Sequence, residues 1–94
     1  MCCDKRFLRM VSDPTRLEIL CLLRQGETCA CEMMPLLNKS QPTISLHLSI
    51  LAREGIITGR KVGRKVLFSI SDDRILNIME IIRSEDYYEK AISD

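Results

Sequence analysis

The sequence of 94 residues contains no tryptophan, two tyrosines, two phenylalanines and a single histidine. Aromatic residues make up only 4% of the chain and hydrophobic residues 46%, so aliphatic side chains must build the core. No segment approaches the roughly 18 apolar residues of a membrane-spanning helix, and the first residues lack the apolar run of a signal peptide. We therefore expect a cytoplasmic protein that does not enter a membrane.

The sequence also lacks the groupings of residues on which common enzyme chemistry depends. It has no glycine-rich phosphate-binding loop, and its one histidine leaves no nucleophile with a plausible base. No internal repeat, low-complexity segment or linker divides the chain. We expect a single non-enzymatic domain over residues 1–94, small enough that dimerisation would help it to bury apolar surface.

Charge is distributed unevenly along the chain, although the formal net charge is only +1. Residues 39–65 carry six basic side chains and one acidic side chain, a net charge of +5. Residues 66–94 carry three basic and seven acidic side chains, a net charge of −4. A basic middle next to an acidic end suggests one face that binds a polyanion.

Apolar spacing and capping residues predict two helices near the start of the chain. After an arm of residues 1–6, a short first helix stops near Ser12. A second helix runs from Pro14 to Gln25, with Asp13 as its N-cap and proline at its first position. Because this helix is apolar around most of its circumference, we expect it to be the central buried element, with Cys21 in the core.

Residues 28–54 have the pattern of a helix-turn-helix. A third helix, roughly Ala30–Leu37, is followed by a turn and by a fourth helix that Ser40 caps and Gly55 ends. The inward stripe of the fourth helix is spaced four and three residues apart: Ile44, Leu48 and Leu51.

A β-hairpin and a last helix complete the predicted fold. Residues 56–61 and 65–70 alternate like paired strands, and we call residues 56–70 the wing. A last helix over residues 72–92 carries an apolar stripe that we expect to pack on a copy of itself. The fold is therefore mainly α with a small β-hairpin, a winged helix-turn-helix of order α-α-α-α-β-β-α that forms a homodimer. The residues expected to point inward from the second strand and the last helix are Val66, Phe68, Ile70, Ile75, Ile78, Met79 and Ile82.

Polar side chains on the fourth helix and cations on the wing are the candidates for contact with DNA. A solvated hairpin would by itself also explain the charge of the wing. His47 borders the inward stripe, so a histidine that is hydrogen-bonded at the core edge is an equal alternative. The candidates on the fourth helix and its cap are Ser40, Gln41, Thr43, Ser45 and His47. The candidates on the wing are Arg60, Lys61, Arg64 and Lys65.

From residue 7 to about residue 88 the chain resembles the ArsR/SmtB family of bacterial and archaeal metal-sensing repressors. Four segments carry the resemblance: DPTRLEILCLL, GETCACEM, SQPTISLHLSILAREGII and GRKVGRKVLFSIS. It implies a homodimeric winged-helix repressor that binds its operator when metal-free and dissociates when a metal occupies thiolates at the third helix. It also places Cys29 and Cys31 on the family's Cys-x-Cys metal box.

Five cysteines, an odd number in a chain without an export signal, favour reduced thiols over a disulfide framework. Cys29 and Cys31 lie where the chain enters the third helix, so both thiols can approach one ion. A helix N-terminus also stabilises thiolates, which favours soft metals. The alternative is that the two are small core residues.

The resemblance also bears on the ligands that would complete such a site. Arsenite-sensing members have a third cysteine three residues after the box, where this chain has Met34, a poorer ligand that we expect in the core. Cadmium- and lead-sensing relatives add cysteines from an N-terminal arm. Cys2 and Cys3 would then give up to four sulfurs for Cd(II) or Zn(II), unless the arm is frayed.

Three functions remain open at this point. The first is a repressor released from an imperfectly palindromic, double-stranded DNA operator by a thiophilic ion such as Cd, Pb, Zn or As. The second is the same repressor controlled by oxidation or persulfidation of its cysteines. The third is a thiol metal-buffering protein, which would not need a basic wing.

Overall fold

The computed structural model describes residues 5–81 and forms a winged helix-turn-helix, as predicted. The helices dominate, and a small antiparallel wing follows the fourth helix. No helix within residues 5–81 is long and apolar enough to cross a membrane. The elements are α1 (Lys5–Val11), α2 (Pro14–Gln25), β1 (Thr28–Cys29), α3 (Ala30–Leu37), α4 (Gln41–Arg53), β2 (Ile57–Val62), β3 (Lys65–Ile70) and α5 (Asp73–Ile81).

Local capping interactions explain where α2 begins. Asp13 Oδ1 accepts hydrogen bonds from the backbone N–H groups of Thr15 at 2.8 Å and Arg16 at 3.2 Å, and Pro14 occupies the first turn. Desolvation acts to raise the pKa of Asp13, but these two backbone hydrogen bonds, with the nearby charge of Arg16, lower it overall. The cap therefore stabilises the ionised carboxylate.

The core lies where α2, α3 and α4 meet. Ile19 and Leu20 of α2 are fully buried, so the prediction that α2 is central is confirmed for one face. Cys21 is exposed, and its predicted place in the core is wrong. Two residues along a helix correspond to a rotation of roughly 200°, so a residue two positions after Ile19 points away from the core. The stripe predicted for α4 is buried as expected: Ile44, Leu48 and Leu51.

The stripe of the last helix is used within the chain itself. Ile75 and Met79 are 1% and 6% exposed and belong to the core cluster, and Ile78 packs against it. Ile75 and Met79 are therefore not left for a second copy, contrary to expectation, whereas Ile78 is half-buried. Ile82 and the predicted continuation of the helix to residue 92 lie outside the described residues.

The sheet has a third strand that the sequence did not reveal. β1 pairs antiparallel with β3, which also pairs with β2, so the strand order is β1-β3-β2. Phe68 and Ile70 are half-buried, but Val66 is 40% exposed, contrary to expectation. Val66 lies one residue from the start of β3, near the tip of the wing, where the hairpin has passed beyond the core.

Candidate nucleic-acid interface and cysteine pair

The start of α4 presents several of the predicted DNA-binding side chains. Gln41 and Ser45 are exposed one turn apart, as a helix that reads a major groove requires. The Ser40 hydroxyl caps the helix by accepting from the backbone N–H of Thr43 at 3.4 Å, and it lies 3.0 Å from the Thr43 hydroxyl. Ser40 and Thr43 are therefore engaged with each other, while Gln41 and Ser45 face solvent.

His47 lies at the core edge, where Arg16 holds it in place. The Nε of Arg16 donates to His47 Nδ1 at 3.2 Å, and Nη1 of the same side chain donates to the carbonyl of Met10 at 3.4 Å. A neutral ring that accepts at Nδ1 carries its proton on Nε2. Sequence reasoning missed Arg16, because its partner lies 31 residues away.

The tip of the wing is a tight basic turn. Val62 pairs with Lys65, so Gly63 and Arg64 form a two-residue connection, and Gly63 takes the left-handed conformation at a φ of 63°. Lys61, Arg64 and Lys65 are all exposed. These three predicted phosphate contacts thus lie together on an accessible hairpin.

Arg60 differs from the other cations of the wing because it is ion-paired. Its Nε lies 2.6 Å from Glu27 Oε2 and its Nη2 lies 2.8 Å from Glu27 Oε1, a bidentate contact. The hydrogen bonds and charge of this pair lower the pKa of Glu27 and raise the pKa of Arg60. Sequence reasoning missed Glu27, whose carboxylate binds this guanidinium.

The Cys-x-Cys pair is joined by a disulfide between Cys29 and Cys31, with a Cα–Cα distance of 5.4 Å. The expectation of reduced thiols is therefore wrong for this pair. Cys29 is the extended N-cap of α3, with φ −91° and ψ 160°, so its side chain does not follow the helical spacing. That conformation brings the two sulfurs together, while Glu32 Oε1 lies 3.4 Å from Cys29 Sγ.

The described residues do not by themselves form a metal site. Within residues 5–81 there is no group of three or more His, Cys, Asp or Glu side chains that could hold a metal ion. Met34 is half-buried and packs against the core, as predicted. The reduced pair would offer two soft thiolates, and Cys2 and Cys3 lie outside the described residues. The two thiolates of Cys29 and Cys31 therefore fit a thiophilic ion only if further ligands join them.

The cysteine pair is directly connected to the wing. Cys29 pairs with Leu67 of β3, and Leu67 pairs with Arg60 of β2. A groove of about 460 Å³ lies between the start of α3, the exposed side of α4 and β3, and both cysteines line it. A chemical change at the pair is thus adjacent to both parts of the candidate DNA-binding surface.

Comparisons with known proteins agree with this architecture. Residues 13–58 match the family model described as "Bacterial regulatory protein, arsR family". An uncharacterized HTH-type transcriptional regulator of Methanocaldococcus jannaschii is 46% identical over 71 residues, which cover 74% of this chain and 80% of that protein. The arsenical resistance operon repressor of Staphylococcus xylosus is 40% identical over 82 residues, covering 84% of this chain and 79% of that protein.

A solved structure shows the same fold. The transcriptional regulator HlyU of Vibrio vulnificus matches with a TM-score of 0.78 and 29% identity, covering 83% of this chain and 81% of that one. The similarity therefore extends over most of both chains.

Proposed function

This chain belongs to the ArsR family, whose members are DNA-binding transcriptional repressors and not enzymes. We propose that a thiophilic effector that acts on Cys29 and Cys31 releases this protein from its operator. One observation carries the proposal. Cys29 is at once a ligand candidate, the N-cap of α3 and a strand residue of the wing sheet.

We assign the two parts of the DNA-binding surface different roles. Gln41 and Ser45 have the amide and hydroxyl groups that bond base edges in the major groove. Lys61, Arg64 and Lys65 are placed to neutralise phosphates, which would make affinity strongly dependent on salt. Ser40, Thr43, His47 and Arg60 are each engaged within the protein, and we assign them supporting contacts.

A homodimer would present two copies of this surface to the half-sites of an imperfect palindrome. Arg74 of α5 stacks over the ring of Phe7 in α1 at 4.0 Å, so the two helices are neighbours. Exposed apolar side chains remain on them, with Leu8 53%, Leu76 41% and Ile81 78% exposed. We assign the dimer contact to this face of α1 and α5.

The effector that we favour is a thiophilic metal or metalloid ion such as Cd, Pb, Zn or As. Reduction of the disulfide would supply two thiolates, the preferred ligands of such ions. Cys2 and Cys3 are the candidates for further ligands. The name of the arsenical repressor of S. xylosus supports a metalloid, although Met34 stands where a third cysteine would help to bind one.

A second effector is thiol oxidation, which the disulfide between Cys29 and Cys31 favours. The pair would then alternate between dithiol and disulfide, with different operator affinities. Mass spectrometry after oxidant or polysulfide treatment separates this from metal binding, because it detects a covalent change.

Transmission to DNA would follow the strand pairing. The backbone of Cys29 is bonded to β3, and Glu27, two residues earlier, holds Arg60 of β2. A change in conformation at the pair therefore displaces β1 and the wing together. To reverse occupancy from 1:99 to 99:1, the effector must prefer the DNA-free form by about 5.5 kcal/mol.

The test starts with DNA selected by the purified reduced protein from a random duplex library. We expect selection of an imperfect palindrome and a loss of affinity in Gln41→Ala. Ultraviolet absorption during titration with Cd(II), and then with arsenite, should show saturable thiolate-to-metal bands that are lost in Cys29→Ser and kept in Cys21→Ser. Bands that persist in Cys29→Ser would contradict the assigned site, and a protein that selects no sequence would contradict the repressor.

A further inference from the structure

The groove between α4 and the wing contains a covalently reactive group. Its volume of about 460 Å³ is within the range of roughly 300–1,000 Å³ that holds small molecules. The disulfide-bonded Cys29 and Cys31 both line the groove, and Arg64 and Lys65 line it from the wing. Among residues 5–81, none of the side chains that line the groove is acidic.

The two sulfurs of the disulfide differ in accessibility. Cys29 is 2% exposed, whereas Cys31 is exposed in the first turn of α3. The bond closes a loop of only three residues, so it restricts the unfolded chain little and adds little stability. Exposed disulfides are the ones that exchange readily with thiols. An incoming nucleophile therefore reaches Cys31 Sγ, and Cys29 becomes the leaving group.

We propose that this groove binds a small anionic thiol, which forms a mixed disulfide with Cys31. The modification depends only on the groove and on the exposure of Cys31. Only its consequence for DNA binding rests on the proposed function. Arg64 and Lys65 favour an anionic thiol, and the exposure of Cys31 determines which sulfur is modified.

The exchange is balanced without any other oxidant. The thiolate of the small molecule attacks Cys31 Sγ, a new S–S bond forms, and the Cys29–Cys31 bond breaks. The incoming sulfur is oxidised to the disulfide level and Cys29 is reduced, leaving as a thiolate that takes a proton from water. The N-terminus of α3 stabilises the departing thiolate, and Glu32 Oε1, 3.4 Å away, can then accept from the thiol.

The adduct would interfere with DNA binding through charge as well as bulk. The anionic group of the bound thiol would lie against Arg64 and Lys65, two of the three exposed wing cations assigned to phosphates. It would also fill the space beside Gln41 and Ser45, which line the same groove. Cations engaged by the adduct are no longer available to the operator.

The test compares three thiols of similar size and different charge. Wild-type protein in the disulfide form is exposed to 3-mercaptopropionate, 2-mercaptoethanol or cysteamine, and samples are quenched and alkylated for intact-mass and peptide analysis. For each thiol we compare the reaction rate with wild type and with Arg64→Gln/Lys65→Gln. Differences in intrinsic reactivity between the thiols cancel in this ratio. The matched control is Arg53→Gln/Lys61→Gln, which removes two exposed cations that do not line the groove.

We expect the reaction of 3-mercaptopropionate to slow about tenfold in the groove variant, since focused charge raises association rates by roughly 10 to 1,000-fold. The reaction of 2-mercaptoethanol should be unchanged, and the adduct should map to Cys31. Added salt should slow the anionic thiol on wild type more than the neutral one, a check that needs no variant. Equal slowing in both double variants, or an adduct on Cys29, would overturn the proposal.

A second readout separates this inference from the proposed function. Cys31 in a Cys29→Ser variant that also carries Cys2→Ser, Cys3→Ser and Cys21→Ser is converted to the mixed disulfide by exchange with the symmetrical disulfide of 3-mercaptopropionate or of 2-mercaptoethanol, which releases one equivalent of the thiol. Operator affinity is then measured for each adduct. Weaker binding of the anionic adduct supports the groove as a regulatory site. If the charge selectivity at Cys31 holds but both adducts bind the operator like the unmodified protein, the modification stands and the effector role of the pair fails.

Discussion

Arg16 Nε donates a hydrogen bond to His47 Nδ1 at 3.2 Å and thereby ties α2 to the middle of α4. The same guanidinium reaches the carbonyl of Met10 at the end of α1. One side chain thus fixes α4 relative to the two helices behind it. His47 is consequently held with a defined ring orientation at the edge of the DNA-binding surface.

Replacing Arg16 should loosen this arrangement. In Arg16→Gln we expect the free energy of unfolding to fall by about 1–2 kcal/mol, because the His47 ring and the Met10 carbonyl lose their donor. Operator affinity should also fall, since α4 is less well oriented. Urea denaturation and fluorescence anisotropy measure the two effects. Arg9→Gln is the control for loss of an exposed charge, and an equal effect of both substitutions would contradict the role given to Arg16.

Glu27 should restrain DNA binding by occupying Arg60. In Glu27→Gln the guanidinium is released for phosphate, so operator affinity should rise and the dependence of log affinity on log salt should steepen by up to about one unit. Stability should change little because the ion pair lies at the surface, where solvent screens it. The control is Glu18→Gln, which makes the same change in net charge at a position on α2. If the two variants bind with the same affinity and salt dependence, Arg60 is not a phosphate contact.

The cap of α2 should contribute stability that depends on pH. Because the folded-state pKa of Asp13 lies below its ordinary value of 3.8, its contribution is complete well above that value and is lost as the pH falls through the lower folded pKa. Asp13→Ala should cost about 0.5–2 kcal/mol at neutral pH. Asp13→Ser should keep most of the stabilisation by the N-cap, and this stabilisation should not depend on the titration of a carboxylate. Denaturation curves from pH 7 to low pH would contradict the assignment if wild type and Asp13→Ser lost stability in parallel.

The apolar face of α1 and α5 should hold the dimer together. Leu8→Glu places a charge on this face, and we expect the protein to sediment as a folded monomer with weaker operator binding. Leu36→Glu is the control, because Leu36 is 64% exposed on α3, away from the proposed interface. Analytical ultracentrifugation checks both variants. A Leu8→Glu protein that remains dimeric at the wild-type dissociation constant would place the interface elsewhere.

Features set by neighbouring residues could be predicted from the sequence. The bounds of α2 and α3 follow from the Asp13-Pro14 cap and from Asn38, which takes the left-handed conformation at a φ of 53°. The inward stripe of α4 follows from its spacing in the same way. These elements stop where a local backbone preference stops them, so a short window of sequence contains the information.

Features that depend on distant partners could not be predicted. β1 has only two residues, Thr28–Cys29, and exists because β3 pairs with it some 40 positions later. The pairing of Glu27 with Arg60 spans 33 residues and has no local signal. Cys21 was misplaced for a related reason, since an apolar run shows that a helix is buried but not how wide its buried face is.

We propose above that the cysteine pair controls the affinity of α4 and the wing for DNA. The most direct measurement is fluorescence anisotropy of the selected operator with reduced wild-type protein, titrated with Cd(II), beside Cys29→Ser and Cys21→Ser. We expect Cd(II) to release wild type and Cys21→Ser from the operator but to leave Cys29→Ser bound. Wild-type protein that stays tightly bound when its thiolate-to-metal bands are saturated would contradict it.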